Sequence, residues 1–229
     1  MRHWTTGRGT ENTRPFLLTH QTDMRILRES IPFIAIPMIV AMVSMVLGLW
    51  NLLILGVFVA LFMAFFFRDP RREPPIDPNV VVAPADGKVT RVVALDKNSE
   101  DSPTLVSIFL SPLDVHINRA PIPGTIKDVV YSPGKFLMAT NKNASIVNEQ
   151  NILTIQNDRI TVVCKQIAGI LARRIVCWKK TGDNLILGER FGLIKFSSRT
   201  DVVLPPNVSV TVSEGQHVRG GVTVIGKIL

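Results

Sequence analysis

The chain has 229 residues, enough for one folded domain plus a membrane segment but not for two large domains. Its net charge is +8, yet it holds a single Tyr and three Trp and no recognisable nucleic-acid module, so the basic balance points to anionic lipid headgroups and no nucleic acid is expected as a partner. Cys164 and Cys177 lie in apolar runs without a CxxC step, and His3, His20, His116 and His217 are scattered, so neither a disulfide framework nor a metal site is expected.

Residues 1–30 form a polar N-terminal tail, and 1–22, without periodicity, is expected to be disordered. Ile31 to Phe67 then contains no charged residue. One spanning helix needs about 20 apolar residues, so the run is too long for a single crossing. Gly48 and Asn51 interrupt it near the middle, and Trp50 suits an interface. Two short helices, about 31–48 and 52–67, are predicted as a membrane hairpin. Arg25 and Arg28 precede the run, and Arg68, Arg71 and Arg72 follow it. Basic flanks on both sides place both ends in the cytoplasm. A re-entrant pair dipping into one leaflet, or a buried core pair of a soluble protein, are the alternatives. Residues 68–79 are a Pro-rich linker, since the prolines from Pro70 to Pro84 oppose helix and strand.

From Val80 to Leu229 short β runs alternate with turn residues. VVVAPADGKVTRVVAL reads as strand, turn at Asp86–Gly87, strand. TLVSIFLS is a strand, and NILTIQN with RITVVCKQIAGI forms a hairpin about Asn157–Asp158. DVVLP, VSVTV and GVTVIGKI follow, and a short helix is predicted near 144–151. The fold class expected is a mainly β soluble domain, a compact sandwich or barrel, with the N-terminal α-helical membrane hairpin attached.

Five motifs stand in order along the chain: FFRDPRREPP, APADGKV, FLSPLDVHINRAP, QIAGILARRI and FGLIKFSSRTDVVLP. Together they resemble the short bacterial form of phosphatidylserine decarboxylase, from about residue 31 to the C-terminus. The resemblance implies an inactive proenzyme that breaks its own chain before a serine, here Ser198. It implies chains 1–197 and 198–229 held as a heterodimer, and a covalent pyruvoyl group made from Ser198 as the cofactor. It implies phosphatidylserine as the membrane lipid acted on, at the inner membrane with the catalytic domain on the cytoplasmic side. A homo-oligomer is left open.

The chemistry can be stated apart from the resemblance. A serine hydroxyl can attack the carbonyl just before it and turn the amide into an ester. Elimination then leaves dehydroalanine, which water converts to a ketone and ammonia. The attack needs a base for the hydroxyl proton and donors for the oxyanion. The ketone is an electron sink for decarboxylation, built from the chain itself.

Within the resemblance, Asp86 in APADGKV matches the processing aspartate, although Asp-Gly is also an ordinary turn pair. His116 in SPLDVH matches the signature histidine and suits proton transfer near neutral pH. The longer branch of the family carries a second histidine three residues on; Arg119 stands there, so His116 must supply the imidazole. Ser197 occupies the place of the usual glycine and is itself a hydroxyl, which makes the cleavage register ambiguous; Arg199 directly after Ser198 selects Ser198. Arg119 and Arg199 are candidates for phosphate or carboxylate, with Arg173 and Arg174 behind them. VSEGQHVRGGVTVIGKI is similar to the hairpin of lipoyl and biotinyl domains, with His217 an exposed turn residue. A non-enzymatic membrane adaptor with a lipoyl-like domain and a decarboxylase of a related serine phospholipid are the alternatives. A carboxyl-transfer carrier is weaker, because no Met-Lys-Met step occurs.

Overall fold

The structure, a computed structural model, describes residues 25–99, 101–138, 141, 143–170, 174–196 and 198–229. The expected disorder of 1–22, Ser197 of the cleavage step and Arg173 lie outside the described residues.

The apolar run folds as two helices, α1 (Ile31–Val46) and α2 (Trp50–Phe66), close to the boundaries expected. Pro32 sits in the first turn of α1, where no intrahelical donor is lost. Gly48 turns the chain between the helices at φ 70°. The seam between them is made of small residues: Ala41, Ser44, Gly56 and Ala60 are buried. A side chain at Gly56 would come within 2.9 Å of the Pro37 carbonyl oxygen, so only glycine lets the helices approach this closely. The large apolar residues, among them Ile36, Met42, Ile54, Phe58 and Leu61, point outward and are exposed. The stretch Arg28–Val46, 19 residues, is long and apolar enough to cross a membrane, whereas α2 has 17 residues.

The stretches flanking the hairpin are tied together at its base. β1 (Arg25–Ile26) pairs antiparallel with β2 (Arg68–Asp69), and the Leu27 N–H donates to the Phe67 carbonyl at 3.2 Å. The last residues of the polar tail and the first of the linker are thus part of the folded unit, with Ser30 and Asp69 buried.

Beyond the linker the described strands are β3 (Val80–Val82), β4 (Gly87–Ala94), β5 (Thr104–Leu110), β6 (Ile117–Arg119), β7 (Gly124–Ser132), β8 (Gln150–Gln156), β9 (Thr161–Ala168), β10 (Ile175–Cys177), β11 (Asn184–Leu185), β12 (Arg190–Ile194), β13 (Ser198–Leu204), β14 (Val208–Val210), β15 (His217–Val218) and β16 (Val224–Ile228). They form an antiparallel sheet in the order β11-β7-β8-β9-β13-β5-β4-β15 and two smaller sheets, β14-β16-β3 and β10-β12-β6. Val81, Val208 and Ile225 of one small sheet share a core with Val89, Val106, Ile108, Leu153 and Val202 of the large one. The protein is therefore a mainly β fold with an N-terminal pair of apolar helices. Strand β13 lies in the middle of the large sheet and is buried almost throughout.

The Asn157–Asp158 hairpin forms as expected, because the Asn157 side-chain oxygen accepts from the Arg159 and Ile160 N–H groups, each at 3.0 Å. Asp86–Gly87 does not close a hairpin: β3 and β4 belong to different sheets. Gly87 instead has φ 146°, and a Cβ there would lie 2.2 Å from the Phe109 carbonyl oxygen of β5. Gly87→Ala should therefore lower stability by about 1–3 kcal/mol, read as a lower denaturation midpoint. The helix expected near 144–151 shrinks to the turn Ala144–Val147, because the residues from Gln150 onward pair into β8. β7 escapes sequence reading, since a bulge between Ile126 and Asp128 breaks its alternation and Ile126 alone of its residues is fully buried.

Candidate active site

Ser198 opens β13, paired with Leu110 on one side and Ala168 on the other. It is fully buried, and its Oγ has no hydrogen-bond partner. A buried hydroxyl left unpaired costs about 1–3 kcal/mol, so this group is kept at an expense that packing does not explain. Side chains alternate along a strand, so Ser198 shares a face with Thr200. Thr200 Oγ1 accepts from Asn118 Nδ2 of β6 at 2.9 Å, which turns that face toward β6.

His116 stands immediately before β6, on the side that Ser198 faces. The SPLDVH segment is a tight turn in which the Ser111 N–H donates to the Asp114 carboxylate at 2.8 Å and the Asp114 N–H to the Ser111 carbonyl at 2.9 Å. The His116 carbonyl accepts from the Ile194 N–H at 3.2 Å, joining this turn to the strand that runs on toward Ser198. His116 Nδ1 lies 2.9 Å from the Asp114 carbonyl oxygen. A carbonyl can only accept, so Nδ1 carries the proton and Nε2 presents its lone pair. Nε2 is buried and has no partner. Burial pushes the imidazole pKa down to about 4, against the opposing pull of the Asp114 carbonyl and carboxylate. His116 is thus a neutral base with a free, dry lone pair.

Phe196, two residues before Ser198, has φ 59°, a left-handed conformation no other non-glycine takes among the described residues. For a bulky side chain that conformation is strained. Its ring stacks on Phe66 at 4.5 Å, and Phe66 also touches the His116 ring at 4.2 Å. Phe33 and Phe67 complete the cluster. The ends of the two apolar helices therefore cover His116 and the Phe196 turn that leads to Ser198.

Asp86 lies at the same end of the sheet. Arg199, Phe109 and Lys88 are in register across β13, β5 and β4, which puts Asp86 about 10 Å across from Ser198 at strand spacing. One Asp86 oxygen takes the Arg72 guanidinium at 2.6 Å and the other the Gly220 N–H at 2.7 Å. Burial raises its pKa despite those partners. Asp86 is not the hydrogen-bond partner of His116; the Asp114 carbonyl is.

The two arginine candidates meet carboxylates of the fold itself. Arg119 is buried against Asp69 at 3.0 Å and also donates to the Pro70 and Gly188 carbonyls. Arg190 binds the other Asp69 oxygen. The pair fastens the linker to the β domain. Asp69→Ala should leave the Arg119 charge buried and uncompensated, costing about 3–5 kcal/mol in denaturant unfolding of the full chain. Arg199 engages Asp201 through Nε at 2.9 Å and Nη2 at 3.1 Å, on the face of β13 opposite Ser198.

Sequence reasoning missed a buried amide chain behind the site. Asn151 donates to Gln166, Gln166 to Asn118 and Asn118 to Thr200, each at 2.9 Å. It links β8, β9, β6 and β13. Gly192 leaves room for it, since a Cβ there would lie 2.8 Å from the Gln166 amide nitrogen. Nothing in the order of residues marks these amides, because Asn and Gln in strands are usually solvent-facing.

Fold and candidate site together define a mainly β protein with a buried serine on a central strand and a buried histidine covered by an apolar helical pair. The sequence profile of the phosphatidylserine decarboxylase family matches residues 59–226. The chain is similar to proteins named phosphatidylserine decarboxylase proenzyme from several bacteria. That of Solibacter usitatus is 51% identical over 173 residues, 76% of this chain and 82% of the relative. That of Chlorobium phaeobacteroides is 47% identical over 172 residues, 74% and 80%. That of Geotalea uraniireducens is 43% identical over 203 residues, 88% and 95%. The chain belongs to the phosphatidylserine decarboxylase family.

Proposed function

We propose that this protein converts phosphatidylserine to phosphatidylethanolamine and CO₂ at a membrane, after breaking its own chain between Ser197 and Ser198. The observation that carries the reading is the buried, unpartnered Ser198 hydroxyl, on the face toward a neutral His116 with a free Nε2. The names borne by the relatives support both the substrate and the proenzyme state.

His116 Nε2 takes the hydroxyl proton as Ser198 Oγ attacks the Ser197 carbonyl carbon. The C–N bond breaks as that proton passes from His116 to the Ser198 nitrogen, and an ester joins the two parts through Oγ. Loss of the Ser198 α-proton then expels the Ser197 carboxylate and leaves dehydroalanine. Water adds, ammonia leaves, and the small chain begins with a ketone. Strain at Phe196, next to the bond that breaks, favours the rearrangement. Asp86, a carboxyl of raised pKa at the same sheet end, is assigned to proton delivery during processing.

The site suits the pyruvoyl group so formed, because position 198 is dry and its Oγ has no protein partner to lose. Once formed, that ketone supplies the electron sink that lets the substrate carboxylate leave as CO₂. Ser198 heads the chain 198–229, yet β13 stays paired between β5 and β9 of the large chain, and β16 stays paired with β3. The two chains should therefore co-purify as one heterodimer and separate only in denaturant, as a native and a denaturing gel would show.

The hairpin is assigned to the bilayer because its small residues face inward and its large apolar residues outward, the reverse of a soluble core. Basic residues at both ends favour a β domain on the cytoplasmic side, beside the anionic headgroups. Arg119 and Arg199 could reach a phosphate only in competition with Asp69 and Asp201, so their role is assigned to shaping the site. Intact-mass analysis of the purified protein tests the reading. Two chains are expected, cut before residue 198, with a carbonyl at the start of the smaller. Active protein in one uncut piece would sink it.

A further inference from the structure

The described residues offer other clusters and clefts, but the aromatic junction between the helices and the scissile segment carries an inference furthest. Phe66 ends α2 and is almost wholly buried. Its ring centroid lies 4.5 Å from that of Phe196 and 4.2 Å from that of His116. Phe33, from the first turn of α1, packs on Phe67 at 5.3 Å and on Phe196 at 6.0 Å. The same cluster takes in Leu193 and Val176 of the β domain. One side chain of the anchor thus touches both the imidazole and the residue whose backbone is held left-handed beside the reactive step.

We infer that Phe66 is a positioning residue for self-cleavage, holding the Phe196 segment and keeping the His116 base dry, so that the helical anchor forms part of the processing apparatus and is more than a tether. The inference rests on the self-cleaving reading above and deepens it. Geometry carries it: the ring covers His116 and leaves Nδ1 to the Asp114 carbonyl and Nε2 without a partner. The charged groups that act on His116 are Asp114, from its own turn, and Arg68, two residues beyond Phe66. Arg68 is held by the Phe65 and Leu113 carbonyls, and Lys195, beside Phe196, lies over the Phe33 ring. Asp114 and Arg68 pull the imidazole in opposite directions, and burial, to which the Phe66 ring contributes by direct contact, is the largest influence holding it neutral.

The test follows full-length chain, pulse-labelled in the presence of phosphatidylcholine vesicles and shifted while still uncut to a series of pH values. Cleavage is read on a denaturing gel. The native chain should lose half its cleavage rate near pH 4, where the buried imidazole protonates. Phe66→Ala should cut at least about tenfold more slowly, with the acid midpoint raised toward the ordinary histidine value of 6.5. Phe66→Leu, which keeps the site dry, should retain a midpoint near the native one and recover much of the rate. An alanine variant that cuts at the native rate, or more slowly by one factor at every pH with its midpoint unmoved, overturns the inference. If the alanine variant does not accumulate, Phe66→Val is read by the same criterion. Native-rate cleavage in a His116→Asn control would instead remove His116 as the base, and a native chain that never cuts under these conditions would bring down the self-cleaving reading on which this one rests.

Discussion

Ser198→Ala should yield one uncut polypeptide that releases no CO₂ from phosphatidylserine, while keeping the native fold. The expectation of intact folding comes from the environment of the group removed. Ser198 Oγ is buried without a partner, so its loss breaks no hydrogen bond and removes a desolvation penalty; stability should be unchanged or slightly raised. The loss of processing is chemical, because alanine has no nucleophile. Two further changes set the register. Ser197→Ala should still be cut before residue 198, and Ser197→Gly should be cut at least as fast, since glycine allows conformations and close approaches in the attack that serine tolerates poorly. Cleavage that persists in Ser198→Ala but stops in Ser197→Ala would move the reaction one residue upstream. Intact mass separates all of these cases.

His116→Asn should slow self-cleavage by about 100-fold to 10,000-fold, the range for removing a general base. Asparagine approximates the size of the imidazole and can still donate to the Asp114 carbonyl, so the turn should persist while the lone pair of Nε2 is lost. The native pH profile carries an independent signature. The buried imidazole has a pKa of about 4 against 6.5 when exposed. Cleavage should therefore hold its rate as pH falls through 6 and fail only near 4. The same displacement has a stability consequence. Between about pH 4 and 6.5 the unfolded chain binds a proton at this histidine and the folded chain does not, so acidification through that window costs about 1.4 kcal/mol per pH unit. Above it the contribution is absent. His116→Asn should flatten that part of the stability curve in denaturant titrations at graded pH. A profile with a midpoint near 6.5 would mean the imidazole is exposed to water and that the roof over it is not closed.

The helical pair, the β class and the candidate site residues were legible in the sequence because each is written locally. An uncharged run from Ile31 to Phe67, broken at Gly48, is a helical hairpin by hydropathy and turn chemistry alone, and α1 and α2 follow it closely. Alternation marked β8 and β9, and Asn157 marked the turn between them. SPLDVH and FSSR named His116 and Ser198 through short contiguous motifs. What tertiary structure alone decided is which distant segments meet. Phe66, His116 and Phe196 are far apart in the chain, and only the packing of α2 on β12 and on the SPLDVH turn brings their rings together. Asp69 with Arg119 and Arg190, and the amide chain from Asn151 to Thr200, likewise join strands whose order in the sheets is not their order in the sequence. The left-handed turn at Phe196 had no local signal, because phenylalanine does not adopt it unless its surroundings hold it there. Local composition sets helix, strand and turn through short-range sterics and burial period, whereas strain, dryness and an unpartnered lone pair are properties of the assembled interior.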